Sequence, residues 1–267
     1  MNYKLSLFVS LLLLTSIFLI PDVPKARAHS DKVFEAFAIE APVMDGVIND
    51  DEWKDAATVT FSIPEGDATI YVMNDRRNLY FAAKVSDNTL DEIVNVALDI
   101  FTIDFDVRHD GELFTIGEDT ISIGARNRYG DGFVGPGLDI LDDSITNVDG
   151  LVGRQGNYNH FEIVHDFNSG DANDLSAVIG DTIGVRFLLF DQSGSDVRTI
   201  SVYPTDVDPN DDDQSMWADI VIAESPDGPL GSGSGSGGFP VTEVGIVVVL
   251  LGWAAYFGFL VRKRQRS

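Results

Sequence analysis

The sequence predicts an all-β fold: a two-sheet antiparallel β-sandwich of jelly-roll or immunoglobulin-like type. Three observations carry that expectation. Residues 78–86, NLYFAAKVS, put Leu79, Phe81, Ala83 and Val85 on one face and Tyr80, Ala82 and Lys84 on the other, the period of two that marks a half-buried strand. Acidic residues are 33 Asp against 10 Glu, a skew toward turns and loops and away from helices. No long amphipathic helical pattern interrupts residues 29–224, where short apolar runs alternate with Gly, Asn and Asp clusters.

In chain order, strands are expected at 34–39, 59–63, 69–73, 78–86, 100–106, 121–125, 161–167, 183–190, 199–203 and 218–222. Residues 69–73 and 78–86 form a hairpin across the polar turn Asn74-Asp75-Arg76-Arg77. Phe161, Ile163, His165 and Phe167 alternate in the same way, which makes His165 core-facing. The continuous apolar run IGVRFLLF at 183–190 reads as a central strand. One helical turn is expected after Met44-Asp45-Gly46, where Asn49 and Glu52 form a capping box and Trp53 plugs one end of the sandwich. The segment after Gly130, with Asp139, Asp142 and Asp143, reads as loop. No internal repeat is visible.

Both ends carry membrane signals. Residues 1–28 read as a signal peptide: Lys4, an apolar core at 5–20, then the small-x-small site Ala26-Arg27-Ala28. An uncleaved anchor is the alternative. Residues 225–243 are a linker containing the run GSGSGSGG. Residues 244–261 hold no charge, and 262–267 carry Arg262, Lys263, Arg264 and Arg266. As a helix that apolar run is about 27 Å long, enough to cross a bilayer core. The basic tail places it on the cytoplasmic side. The expected protein is therefore single-pass in the cell membrane, with an extracellular ectodomain at 29–224. An archaeal-type sorting signal, cut and replaced by lipid, shares this layout.

The net charge is −25, and the basic tail makes the ectodomain more acidic still. Nucleic acid and anionic lipid are repelled by such a surface, whereas cations are attracted. The chain has no cysteine, so disulfides, thiolate metal sites and Cys nucleophiles are excluded. It has no N-glycosylation sequon, no HExxH and no G-x-S-x-G, and the reading is of a protein that is not an enzyme.

Two acidic constellations are candidate cation sites. Asp206, Asp208, Asn210 and Asp212 place side-chain oxygens at alternate positions, as calcium loops do. The solvated acidic loop is the equal alternative. Asp104, Asp106 and Asp110, with Glu118 and Asp119 across the next turn, form the second group. There Asp104 and Asp106 share the outward face of one strand, where they suit a calcium ion or a sugar-hydroxyl acceptor, and a plain charged hairpin is the alternative.

The stretch APVMDGVINDDEWKDAA at 41–57 resembles the opening of family 9 carbohydrate-binding modules and their DOMON-like relatives. Asp45, Gly46, Asp50, Asp51 and Trp53 carry the match. Downstream, Ile70-Tyr71-Val72, Asn78-Leu79-Tyr80-Phe81, Val85-Ser86-Asp87, Asp104-x-Asp106 and Trp217 before Ala218-Asp219-Ile220-Val221-Ile222 fit as well. The resemblance spans about 34–223, and its residues, Asp45, Gly46, Trp53 and Trp217 among them, mostly build the sandwich. It implies binding of a carbohydrate or cell-surface glycan between two aromatic rings, with calcium supporting nearby loops. The ectodomain has only two Trp, so the rings would come from Tyr129, Phe133, Tyr158 or Tyr203, each of which also reads as packing or a turn. Other DOMON-like domains bind haem b through Met and Lys or His. Met73, Met216, His109, His160 and His165 are the candidates for that role. A structural or adhesive cell-surface spacer is the third alternative.

Overall fold

The computed structural model describes residues 30, 32–93, 96–111, 115–170, 174–192, 198–210 and 213–228. The expected signal peptide, the run 231–238, the spanning segment 244–261 and the tail 262–267 lie outside the described residues. No helix among the described residues is long and apolar enough to cross a membrane.

Among the described residues fifteen strands run in order: β1 (Val33–Phe34), β2 (Ala57–Ile63), β3 (Gly66–Asn74), β4 (Asn78–Ser86), β5 (Glu92–Ile93), β6 (Val96–Ala97), β7 (Ile100–Asp106), β8 (Asp119–Gly124), β9 (Arg128–Val134), β10 (Ile140–Asp142), β11 (Val148–Gln155), β12 (Tyr158–Asp166), β13 (Thr182–Asp191), β14 (Thr199–Tyr203) and β15 (Ala218–Val221). An eight-stranded sheet has the order β1-β15-β13-β7-β8-β9-β10, with β14 also on β13. A five-stranded sheet has the order β11-β12-β4-β3-β2, and β5 and β6 form a small ribbon. Every pairing is antiparallel except β1 with β15. The expected two-sheet antiparallel sandwich is present in the compact unit that ends at Pro226. Of the second unit only Asp227 and Gly228 are described.

The inner faces meet in one core. Phe81 of the small sheet packs on Phe105 and Phe187 of the large one, with ring centroids 5.9 and 6.3 Å apart. Phe101 stacks on Phe187 at 6.0 Å. Ile70, Val72, Ile103, Ile121, Ile163, Val185 and Ile220 complete the apolar layer, as the period-two reading requires.

A second, smaller core lies on the outer face of the small sheet. Residues 36–56 cross that face, and Ala38, Ile48 and Trp53 bury Met73, Tyr80 and Ala82 beneath them. Trp53, part of that covering layer, is 2% exposed and packs on the outer face of the small sheet against Tyr71 and Glu162, not at an end of the sandwich. The expected helical turn is instead a run of turns. Glu52 and Trp53 both donate their N–H to the carbonyl of Asn49, and the Asn49 side chain accepts from Asp51. Four residues after Trp53 the chain enters β2, too soon for a helix to propagate.

β9, β10 and β11 lie in and beside the segment after Gly130, which the sequence alone reads as loop. Glycine hides them. A Cβ on Gly153 would stand 2.1 Å from the Gly46 carbonyl, and one on Gly150 would stand 1.9 Å from the Glu162 carbonyl. Both strand positions need glycine because another backbone lies against them. Residues 34–39, expected as one strand, pair only over β1 and through a bridge from Phe37 to Asn74.

Candidate functional site

The outward face of the large sheet carries a charged and hydroxyl network that opens to a groove. Alternation along β7 and β13 sends Phe101, Ile103, Phe105, Val185 and Phe187 inward, so Thr102, Asp104 and Arg186 face out. Register pairs Arg186 with Asp104, and Asp104 in turn with Thr120 of β8. The Arg186 guanidinium grips Asp104 through Nε at 3.0 Å and a terminal nitrogen at 2.7 Å. The Thr120 hydroxyl donates to the other Asp104 oxygen at 2.7 Å. Arg186 also lies over the Trp217 ring, 4.7 Å from its centroid. This network is the floor of a cavity of about 430 Å³, walled by Thr102, Ser122, Leu188 and Phe190 and rimmed by Leu138 and Ile140 of the β9–β10 hairpin. Leu138 and Ile140 are exposed.

Further along the same face, a broader open cavity of about 980 Å³ is lined by Arg108, His109, Thr182 and Asp219. His109 Nε2 lies 3.0 Å from Asp219 there. Asp106, fully buried beside it, accepts the Gly111 N–H at 2.9 Å. Thus Asp104 and Asp106 share the outer face as expected, but Asp104 is engaged by Arg186 and Asp106 by the turn that contains Asp110. Glu118, next on β8's approach, accepts the Val107 N–H at 2.9 Å. Burial pushes its carboxyl up to about 7 despite that bond.

The four candidate rings do not converge. Tyr203 is in the core between Phe34 and Phe61, a consequence of the inward alternation of β14. Tyr129 and Phe133 lie on the inward side of β9, near its edge, and the Tyr129 hydroxyl reaches across to the Gly150 carbonyl at 2.7 Å. Tyr158 is on the outer face of the small sheet, with Lys84 4.9 Å above its ring. No pair of them is placed to sandwich a sugar. The haem candidates are also dispersed. Met73 and His160 share the outer face of the small sheet, but they pair with Tyr80 and Lys84, about 13 Å apart along β4. His165 is on the inner face, and His160 Nδ1 accepts the Ile48 N–H at 2.9 Å.

Asp45, Gly46 and Trp53 act together. Glu162, fully buried on β12, accepts the Asp45 N–H at 3.0 Å, the Gly46 N–H at 2.7 Å and the Trp53 indole N–H at 3.0 Å. Burial raises the Glu162 carboxyl, and those donors oppose the shift. In the acidic loop, Asp206 pairs with Lys32, which holds its carboxyl below the usual range. Asp208 accepts from the Asn210 backbone at 2.9 Å, and Asp212 lies outside the described residues.

A group that the sequence reading missed lies at the edge between the sheets. Asp119 and Asp131 face inward from β8 and β9, Asp143 follows β10, and Asp174 lies between β12 and β13. Asp119 is fully buried and raised well above the usual carboxylate range by burial, then by Asp131, Asp174 and Asp143. Only period-two counting back from Ile123 and Ile121 would have placed Asp119 inside.

No protein-family model matches the chain, and neither does any curated protein sequence. Among solved structures, the chain is similar to a family 9 carbohydrate-binding module from Caldicellulosiruptor kristjanssonii in complex with cellotriose. Identity is 15%, coverage is 74% of this chain and 98% of that one, and the TM-score is 0.56. The same kind of module from that organism in complex with glucose matches at 16% identity over 74% and 100%, with a TM-score of 0.55. At such identity the likeness is one of fold.

Proposed function

We propose that the domain is a non-catalytic carbohydrate-binding module whose saccharide docks in the outer-face groove over Arg186. One observation carries this reading: the Arg186–Asp104–Thr120 network forms the floor of a groove whose walls combine Ser122 and Thr102 with Leu188 and Phe190. A sugar needs this combination, since its hydroxyls seek charged and hydroxyl partners while its C–H face seeks apolar surface. The likeness to modules crystallised with cellotriose and glucose supports the same class of ligand. The aromatic role falls to Phe190 and aliphatic rims, in place of the ring pair among Tyr129, Phe133, Tyr158 and Tyr203. The ends of the sequence support display outside the cell membrane on the 225–243 linker.

The test is a glycan array followed by calorimetry on the full-length chain in a sugar-free detergent, with glucose and cellotriose as first probes. Ile140→Asp, at an exposed rim position, is expected to weaken binding at least tenfold while leaving the melting temperature within about a degree. A blank array, or affinity untouched by Ile140→Asp and Ser122→Ala together, rejects the groove as the site. Protease added to intact cells is expected to release the domain near the Gly-Ser run, and full protection rejects the topology.

A further inference from the structure

We propose that Asp119, Asp131, Asp143 and Asp174 form a calcium site that ties two connecting segments to the edge of the large sheet. Three stretches of chain, distant in sequence, supply the four carboxylates: the β8–β9 hairpin, the residues after β10 and the link between β12 and β13. One oxygen from each of Asp131, Asp143 and Asp174 lies within 4.8 Å of the others. Calcium holds its oxygens at about 2.3–2.6 Å, so ligands across the ion are about 5 Å apart at most. Asp131, Asp143 and Asp174 are therefore already gathered at the spacing a single calcium ion imposes, and Asp119 lies close enough to feel all three.

Independent of that spacing, buried polar atoms beside the group have no partner. Asp119 is fully buried, and one of its oxygens accepts no hydrogen bond while the other accepts the Leu175 N–H at 2.8 Å. Asp174, 6% exposed, likewise has one oxygen without a partner and one engaged by Asn147 and Ser169. The amide oxygen of Asn147 has none either, although its backbone N–H donates to Asp131 at 2.8 Å. His165, 1% exposed, makes no hydrogen bond from either ring nitrogen, and its Nε2 is 4.0 Å from Asp119. A buried carboxylate oxygen left unsatisfied is costly, and no cation is among the main influences on Asp119. Hard carboxylate and amide oxygens in this number fit calcium, and in a chain with no cysteine a cation supplies the cross-link that disulfides supply elsewhere.

The experiment uses the full-length chain, freed of metal by chelator, then given calcium chloride, zinc chloride, or sodium chloride at matched ionic strength. Hydrogen exchange reads the Leu175 and Asn147 amides, which donate to the cluster. Calcium is expected to slow both at least tenfold and to raise the melting temperature by about 5 °C or more at a hundredfold excess over Kd. Asp174→Asn is expected to lose that protection and one calcium from the calorimetric stoichiometry, whereas Asp206→Asn with Asp208→Asn keeps both. If Asp174→Asn does not fold, the exchange of the unsubstituted chain still decides. Leu175 and Asn147 amides indifferent to calcium, an equal response to sodium, protection by zinc alone, or an effect that follows Asp206 and Asp208 would each overturn the proposal.

Discussion

Asp104 and Asp119 are on adjacent strands of one sheet, one facing out and the other in, and both are buried in protein. Their charges are handled in opposite ways. Asp104 receives a two-pronged guanidinium and a hydroxyl. Asp119 receives one backbone N–H and three further acids. Glu162, on the other sheet, is a third case, held by three N–H donors and no cation. Burial is similar at all three positions, so what separates them is the partner. An internal base makes a stable polar floor for a groove, backbone donors make a structural clamp, and a gathering of acids makes a demand for a cation.

The largest expected effect tests the first case. Arg186→Met leaves Asp104 buried without its base and is expected to cost about 3–5 kcal/mol in urea unfolding, as removal of one partner from a buried pair does. The double variant Asp104→Leu with Arg186→Met is expected to recover most of that loss, because no uncompensated charge remains. A single-variant loss below about 1 kcal/mol would mean that Asp104 does not depend on Arg186, and the contrast with Asp119 would fail.

A smaller effect tests the clamp. Trp53→Phe keeps an aromatic ring at a buried site but withdraws the indole N–H from Glu162. The loss is expected to be about 1–3 kcal/mol, the usual cost of leaving a buried acceptor short of a donor. Adding Glu162→Gln, which removes the charge to be satisfied, is expected to return part of it. If the double variant is worse than the sum of the two singles, Glu162 is held by shape and not by its donors.

Much of the sandwich was legible in the sequence because period-two alternation is a local signal. β4 falls where residues 78–86 alternate, and β7, β13 and β15 fall close to their expected runs. The same alternation put His165 inside and Asp104 and Asp106 outside. What escaped depends on contacts between distant segments. Gly150 and Gly153 read as loop residues until Glu162 and Gly46 are seen against them. Tyr203, at the end of an expected strand, reads as a binding ring or as packing until Phe34 and Phe61 are seen against it. The groove over Arg186 draws on β7, β8, β13 and the β9–β10 hairpin, with no local motif in any of them. The inner acids draw on residues 119, 131, 143 and 174, and no spacing rule links these four positions.

The pH profile sharpens the comparison at another buried acid. Asp99, 2% exposed, is pushed up to about 7, first by burial and then by Asp87, Asp191 and Asp91, against a hydrogen bond from the Asp91 N–H. Its unfolded value is about 3.9, so the folded state binds the proton more tightly. The stability it contributes is full below pH about 4 and is lost as pH rises through about 7. Chelator-treated protein is therefore expected to show a falling urea midpoint from pH 4 to 7, and Asp99→Asn to show a flatter profile. Asp119 acts in the same direction, so the variant removes only part of the slope. A midpoint that rises over that window would mean that these acids are compensated as Asp104 is.

The smallest effect belongs to the exposed counterpart of Asp104. Asp206 also has a base beside it, Lys32, but this pair is at the surface, where water and salt screen it. Asp206→Asn is expected to cost well under 1 kcal/mol, and the loss is expected to vanish in 0.5 M sodium chloride. Its carboxyl is lowered by Lys32, so whatever stability it contributes is present above the unfolded value and lost as pH falls through the lowered one. The alternating Asp206, Asp208, Asn210 and Asp212 nevertheless have the spacing of a calcium loop. If that loop held calcium, Asp206→Asn would cost more, the cost would survive high salt, and it would appear only with calcium present. Unfolding midpoints for the parent chain and the variant, with calcium or chelator at low and high salt, separate these outcomes. A screened loss indifferent to calcium assigns Asp206 to a surface ion pair. A calcium-dependent loss that persists in salt would place a cation on the exposed loop as well as at the inner acids.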